Sequence, residues 1–172
     1  MQSISLTITD RDRQIAGLTT LAISLHLLEA TFPSLLPGVK PGIANIVVLF
    51  VLYRYGFATA ASVSLLRVLA GSLLFGQLLT PTFFLSMTGA LTSLVALWLA
   101  SRLPASYFSA VSLSILAAMA HITGQLLMVR LWLIPVPQTF LLLPPLLMAS
   151  IVFGLANGLI VAYLLNGRDA RG

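Results

Sequence analysis

The sequence has no cysteine, which excludes disulfides, thiolate metal sites and cysteine nucleophiles. Charge is nearly as scarce: Asp, Glu, Lys and Arg make up 8% of 172 residues, against about 25% in an ordinary soluble domain. So little charge cannot coat a water-facing surface. Carboxylates are the rarest group inside the chain, with Asp10, Asp12 and Asp169 near the ends and Glu29 alone in the apolar body. That leaves no aspartate cluster to hold Mg²⁺ on a diphosphate. A glycine-rich phosphate loop ending in Lys-Ser/Thr is also missing, so ATP hydrolysis by that machinery is excluded. Ser, His and Glu occur, but no spacing singles out a nucleophile, and no catalytic residue, cofactor or enzymatic activity is expected. The net charge is +5, yet the basic residues are scattered among apolar runs rather than gathered on one face, which argues against a nucleic-acid partner.

Hydrophobic residues, in contrast, make up 59% of the chain. A membrane-spanning helix needs about 20 mostly apolar residues, and the sequence holds several runs near that length, broken by short stretches rich in Pro, Gly or Arg. The expected fold is all-α: a polytopic membrane protein with six transmembrane helices at 14–36, 42–55, 57–79, 82–101, 106–129 and 145–165. Residues 14–165 form one domain between cytoplasmic tails at 1–13 and 166–172. The first 13 residues lack the basic-then-apolar order of a cleaved signal peptide, and Asp10 or Asp12 suits the free N–H groups at the start of the first helix. With both termini inside, the cytoplasmic face receives Arg11, Arg13, Arg54, Arg102, Arg168 and Arg171, the outer face only Lys40 and Arg130. That asymmetry fits the positive-inside bias and a bacterial inner-membrane location. Tyr53, Tyr55 and Phe57 at the inner turn and Trp132 at the outer end suit an interfacial belt, or pack between helices.

Small residues recur four apart, at Ala16, Thr20 and Ser24, at Ser86 and Ala90, at Ala120 and Gly124, and at Gly154 and Gly158. In lipid such spacing lets helix backbones approach closely, either within the bundle or against a partner membrane protein.

The polar residues inside the apolar runs are the candidates for function. In LLPGVKPGIAN, Leu35 to Asn45, Pro41 opens a second helix of marginal spanning length. The segment before it is therefore expected to dip below the membrane surface, which irregular backbone does only where it is buried in protein or lines a wet cavity. His26, Glu29, Asn45, Gln77, His121 and Gln125 all fall in the outer leaflet, with Arg67 near the middle of the third helix. An ionised side chain at the bilayer centre costs at least about 2.5–3.5 kcal/mol, so Glu29 and Arg67 should face the bundle interior. They either neutralise each other there or, with Lys40 at the rim, line an outward-facing pocket for a small ligand. A metal site would want more ligands than His26, His121 and Glu29 supply, and none is expected. The proline-broken stretch RLWLIPVPQTFLLLPP, Arg130 to Pro145, is too apolar for an aqueous loop and is expected over the outer mouth or along the interface.

Three segments in order, PGVKPGIANIVVLFVLYRYGF, LLRVLAGSLLFG and AHITGQLL, resemble the Gx transporter family, also labelled heptaprenyl diphosphate synthase component I. The resemblance covers residues 14–165, and that family in turn is similar to the substrate-binding S components of energy-coupling factor transporters. It implies a compact six-helix S-component-like bundle with an outer ligand pocket, and it falls on Lys40, Gly42 and Asn45, on Arg67 and Gly71, and on His121, Gly124 and Gln125. Two departures stand out. Pro41 follows the lysine of the first segment where a small residue is expected, and Ala16, Thr20 and Ser24 replace the alanine-only stripe by which S components meet their coupling protein. The leading expectation is a substrate-capture subunit of a transporter. Its ligand, a flavin, a vitamin-like compound or a prenyl diphosphate, is held by Glu29, Lys40, Asn45, Arg67, Gln77, His121 and Gln125, and a coupling membrane protein with ATPases docks at Ala16, Thr20 and Ser24 and supplies energy. The alternative label implies a non-catalytic membrane subunit serving a soluble prenyl synthase in isoprenoid synthesis.

Overall fold

The computed structural model describes residues 9–31, 42–104 and 107–169, the side chains of 29–31, 168 and 169 excepted. Six α-helices run through them: α1 Asp10–Thr31, α2 Ala44–Tyr55, α3 Phe57–Leu74, α4 Pro81–Ser101, α5 Ala110–Met128 and α6 Leu143–Asp169. Local chemistry sets most of the ends. Thr9 and Asp12 close α1 reciprocally: the Thr9 N–H donates to Asp12 Oδ2 at 2.9 Å and the Asp12 N–H to Thr9 Oγ1 at 3.2 Å, satisfying two donors that a helix start leaves orphaned. Ser109 and Ser112 do the same for α5. Gly56, at φ +82°, ends α2 and lets α3 begin at the next residue, a conformation only glycine adopts readily.

Packing in the bundle follows the small residues. A Cβ on Gly158 would lie 2.6 Å from the Val111 Cα, and one on Gly154 2.9 Å from the Ile115 Cα. These two glycines thus bring the backbones of α5 and α6 into direct contact, the internal role open to them from their spacing. Gly124 of α5 is occupied in the same way by the Thr92 side chain of α4. The short α2 sits at the centre, buried through Ala44, Ile46, Val47, Val48, Leu49 and Val51, and packs on α1, α3, α5 and α6.

The exterior is apolar, with exposed Leu, Ile, Val, Trp and Tyr on most helices, a surface suited to lipid rather than water. Four helical stretches are long and apolar enough to cross a membrane, Phe57–Leu74, Pro81–Ser101, Ala110–Leu133 and Pro137–Gly167. These features are those of a membrane protein. The expected six spans thus become six helices of which four have span length among the described residues. The 12 residues of α2 rise only about 18 Å against a hydrocarbon core of about 30 Å, and the first turn of α1 is taken by Asp10, Arg11, Asp12 and Arg13.

Boundaries also move: α1 begins at Asp10 rather than 14, and α6 runs Leu143–Asp169 rather than 145–165. α3 stops at Leu74 rather than 79, because Gly76 (φ +65°) and Leu79 (φ +63°) turn the chain toward Pro81. Beyond α5 the helix widens into a π-turn at Val129–Leu133, followed by a 3-10 turn at Pro137–Leu142. The proline-broken stretch Arg130 to Pro145 is thus wound into two short non-α turns and the first residues of α6.

Candidate functional site

The C-terminal halves of α1, α3 and α5 meet the N-terminal halves of α2, α4 and α6 around a cavity of about 480 Å³, within the usual range of about 300–1,000 Å³ for small-molecule sites. Five predicted residues line it: Asn45, Arg67, Gln77, His121 and Gln125. His26 joins them from α1. Lys40, with the Pro37 to Lys40 segment and Pro41, lies outside the described residues. Glu29 is placed only by its backbone, in the last turns of α1, so the expected pairing of Glu29 with Arg67 also lies outside what is described.

Arg67 anchors the floor. It projects from α3, is only 8% exposed, and donates from Nη2 to Asn45 Oδ1 of α2 at 3.2 Å. Burying a guanidinium in a membrane bundle is tolerated where polar groups receive it, and the Asn45 carbonyl is one such acceptor. The start of α2 is fixed from a second direction. Gly42 adopts φ +71°, its carbonyl accepts the Asn45 N–H at 2.8 Å, and the same carbonyl accepts Nδ2 of Asn157 from α6 at 3.2 Å. α2, α3 and α6 are therefore joined at the floor by hydrogen bonds rather than by apolar packing alone.

His121 and Gln125, one turn apart on α5, form the adjoining wall against α4. Gly89 makes room for them: a Cβ there would stand 2.7 Å from His121 Nε2 and 2.9 Å from Gln125 Cγ. Below His121 and Arg67 a pocket of about 10 Å³, bordered also by Asn45, Ser64 and Ser93, is of the size that admits about one water molecule. His26 meets Phe75 edge to face with ring centroids 6.2 Å apart. Gln77 lies beyond the end of α3, in the turn before α4, with its N–H donating to the Ser72 carbonyl at 2.8 Å.

Sequence reasoning passed over α6. Leu146, Ser150, Phe153 and Asn157 line the cavity at helical spacing, and Asn157 is 7% exposed. Its signal was available, since a serine and an asparagine seven apart fall on one face of an otherwise apolar helix. Gly89 was legible only as a glycine, because the His121 and Gln125 side chains it makes room for come from another helix. Ala16, Thr20 and Ser24 lie together on an exposed stripe of α1, where Thr20 Oγ1 donates back to the Ala16 carbonyl at 2.9 Å. Among the described residues no three His, Asp or Glu side chains come together as a metal site would require.

This arrangement offers a buried cation, amides and imidazoles around a void, and so is suited to hold a small molecule by hydrogen bonds. No curated protein and no solved structure matches the chain. A family model does match, over residues 18–164, which takes in α2 to α5 whole, most of α1 and α6, and every residue that lines the cavity. The chain belongs to the heptaprenyl diphosphate synthase component I family.

Proposed function

We propose that the protein is a substrate-capture subunit of a transporter, an integral membrane protein that holds a small ligand in an outward-facing pocket and depends on partners for energy. The observation that carries this reading is the convergence of Asn45, Arg67, His121 and Gln125 from three helices around one 480 Å³ cavity. In this reading all six helices cross or enter a bacterial inner membrane with both termini cytoplasmic, so the cavity opens outward, and Glu29 and Lys40 complete its lining. The exposed stripe of Ala16, Thr20 and Ser24 leaves α1 open to a coupling membrane protein with its ATPases.

A second reading has its own support. The family carries the description of one component of a heptaprenyl diphosphate synthase, which is compatible with a non-catalytic membrane subunit that presents a ligand to a soluble prenyl synthase. Both readings place a small molecule in the same cavity and differ in the partner.

Mass spectrometry of small molecules retained after gentle purification tests what they share. A molecule retained at one per chain, and lost in Arg67→Ala while that variant keeps its thermal unfolding transition, supports capture. A protein that neither retains nor binds a small molecule refutes it, and loss of folding together with loss of ligand makes Arg67 a structural residue. Copurification separates the two: ATPases with a membrane coupling protein support transport, and a soluble prenyl synthase supports the accessory subunit.

A further inference from the structure

Building on the capture reading, we infer that the ligand is an amphiphile, seated with a hydrogen-bonding head on the cavity floor and an apolar body directed to the mouth. The lining is layered by depth. The floor holds the polar Asn45, Arg67, His121 and Asn157 beside Val68 and Ala118. Eight residues further along α3 and α5 stand Phe75 and Val129, a rise of about 12 Å at 1.5 Å per residue. At that level Leu85, Leu142 and Leu146 complete a largely apolar collar, with His26 against Phe75, Gln77 and Thr82 its polar members. An apolar body gains about 25 cal/mol for each Å² it hides along such an entrance.

The segment beside the mouth carries the same signature. Connections that face water are normally polar, yet from the π-turn to the start of α6 the exposed side chains are almost all apolar, with Leu131 77% and Leu141 75% exposed. Trp132 reaches back to Phe84 of α4, ring centroids 5.3 Å apart, next to the collar residue Leu85. A contiguous apolar surface of this kind marks contact with membrane. The mouth therefore opens beside the outer leaflet interface, where amphiphiles concentrate, and a polar floor beneath a largely apolar collar sets which end of the molecule goes in first.

The test uses the whole protein in lipid nanodiscs, with empty nanodiscs subtracted. Calorimetric titration compares dodecanoate and dodecyl phosphate with acetate, inorganic phosphate and dodecanol. Saturable binding of at least one of the two amphiphiles, at least tenfold tighter than the matching head alone and than dodecanol, and weakened at least tenfold by Leu146→Gln, is the expected result. Orientation is read from Trp132 fluorescence in a Trp98→Phe background. Trp98 stacks under Arg102 near the far end of α4, so its removal leaves the mouth intact. Quenching by 12-bromododecanoate should exceed quenching by 2-bromododecanoate and should be reversed by excess dodecanoate. Equal binding of the bare head groups or of dodecanol, stronger quenching by the 2-bromo probe, or no saturable binding by either amphiphile overturns the inference. A fully hydrophilic molecule retained in an Arg67-dependent way would end the amphiphile and leave capture standing, while an empty protein that also binds no probe would end both.

Discussion

At the residue scale, the cavity wall depends on a hydrogen atom where other residues carry a methyl group. Gly89→Ala would drive a Cβ into His121 Nε2 and Gln125 Cγ. Overpacking of this kind costs about 1–3 kcal/mol, more than the roughly 1 kcal/mol that alanine gains over glycine inside a helix, so a lower unfolding temperature in nanodiscs is expected. Gly71→Ala is the control: its nearest foreign atom, His26 Cδ2, would lie 3.9 Å away, ordinary contact, and the variant should unfold at or slightly above the parent temperature. A second residue-level prediction concerns pH. Hydrogen bonds from the Thr9 side chain and backbone hold the Asp12 carboxyl below its ordinary value. A depressed carboxylate stabilises the folded state fully above the ordinary pKa of about 3.9 and loses that contribution as the pH falls through its lower folded value. Amide exchange at the start of α1 should therefore quicken below about pH 3.9, and Asp12→Asn should show fast exchange at every pH. Legibility at this scale was uneven. Arg67, His121 and Gln125 announced themselves as polar groups in apolar runs, whereas Gly89 reveals its role only through the side chains of a neighbouring helix.

At the scale of the helices, the contact of α5 with α6 is the most sensitive. Val111 Cα and Ile115 Cα are backbone atoms, so nothing can rotate away from a methyl group added at Gly158 or Gly154. Gly158→Ala should lower stability by about 1–3 kcal/mol or shift the two helices apart, read as a fall in the unfolding transition. Gly17→Ala, with nothing within 4 Å of the added carbon, should not. Helix ends were readable where the signal is local, as at Pro81 for α4, one residue from the expected start, whereas α1 begins at Asp10, four residues before the expected 14. The end of α3 was misjudged because apolar residues continue to Leu79 while Gly76 and Leu79 have already turned the backbone. The start of α5 falls at Ala110 rather than 106 because Ser109 and Ser112 cap it there, a pairing of serines too common in sequence to stand out.

For the whole molecule, the number of helices and their apolar character were evident from composition and spacing alone. The cavity was half evident, since depth in the membrane follows from position along a helix, but which faces turn toward each other does not. The absence of cysteine makes the orientation directly testable. A cysteine at Leu79, which is exposed at the cavity end, should react with a membrane-impermeant maleimide on intact cells, and one at Tyr107, exposed at the opposite end, only after permeabilisation. The reverse pattern would place the mouth in the cytoplasm and refute outward capture.

The brevity of α2 reaches beyond its own packing. Its 12 residues rise about 12 Å less than a hydrocarbon core is thick, and Asn45 in its first turn borders the hollow. The cavity is in this sense a helix stopped short: its depth is fixed by chain length rather than by carving side chains out of a packed interior. Three or four extra helical residues ahead of Ala44 would raise the floor by about one turn, or 5.4 Å, and make the well shallower for any occupant.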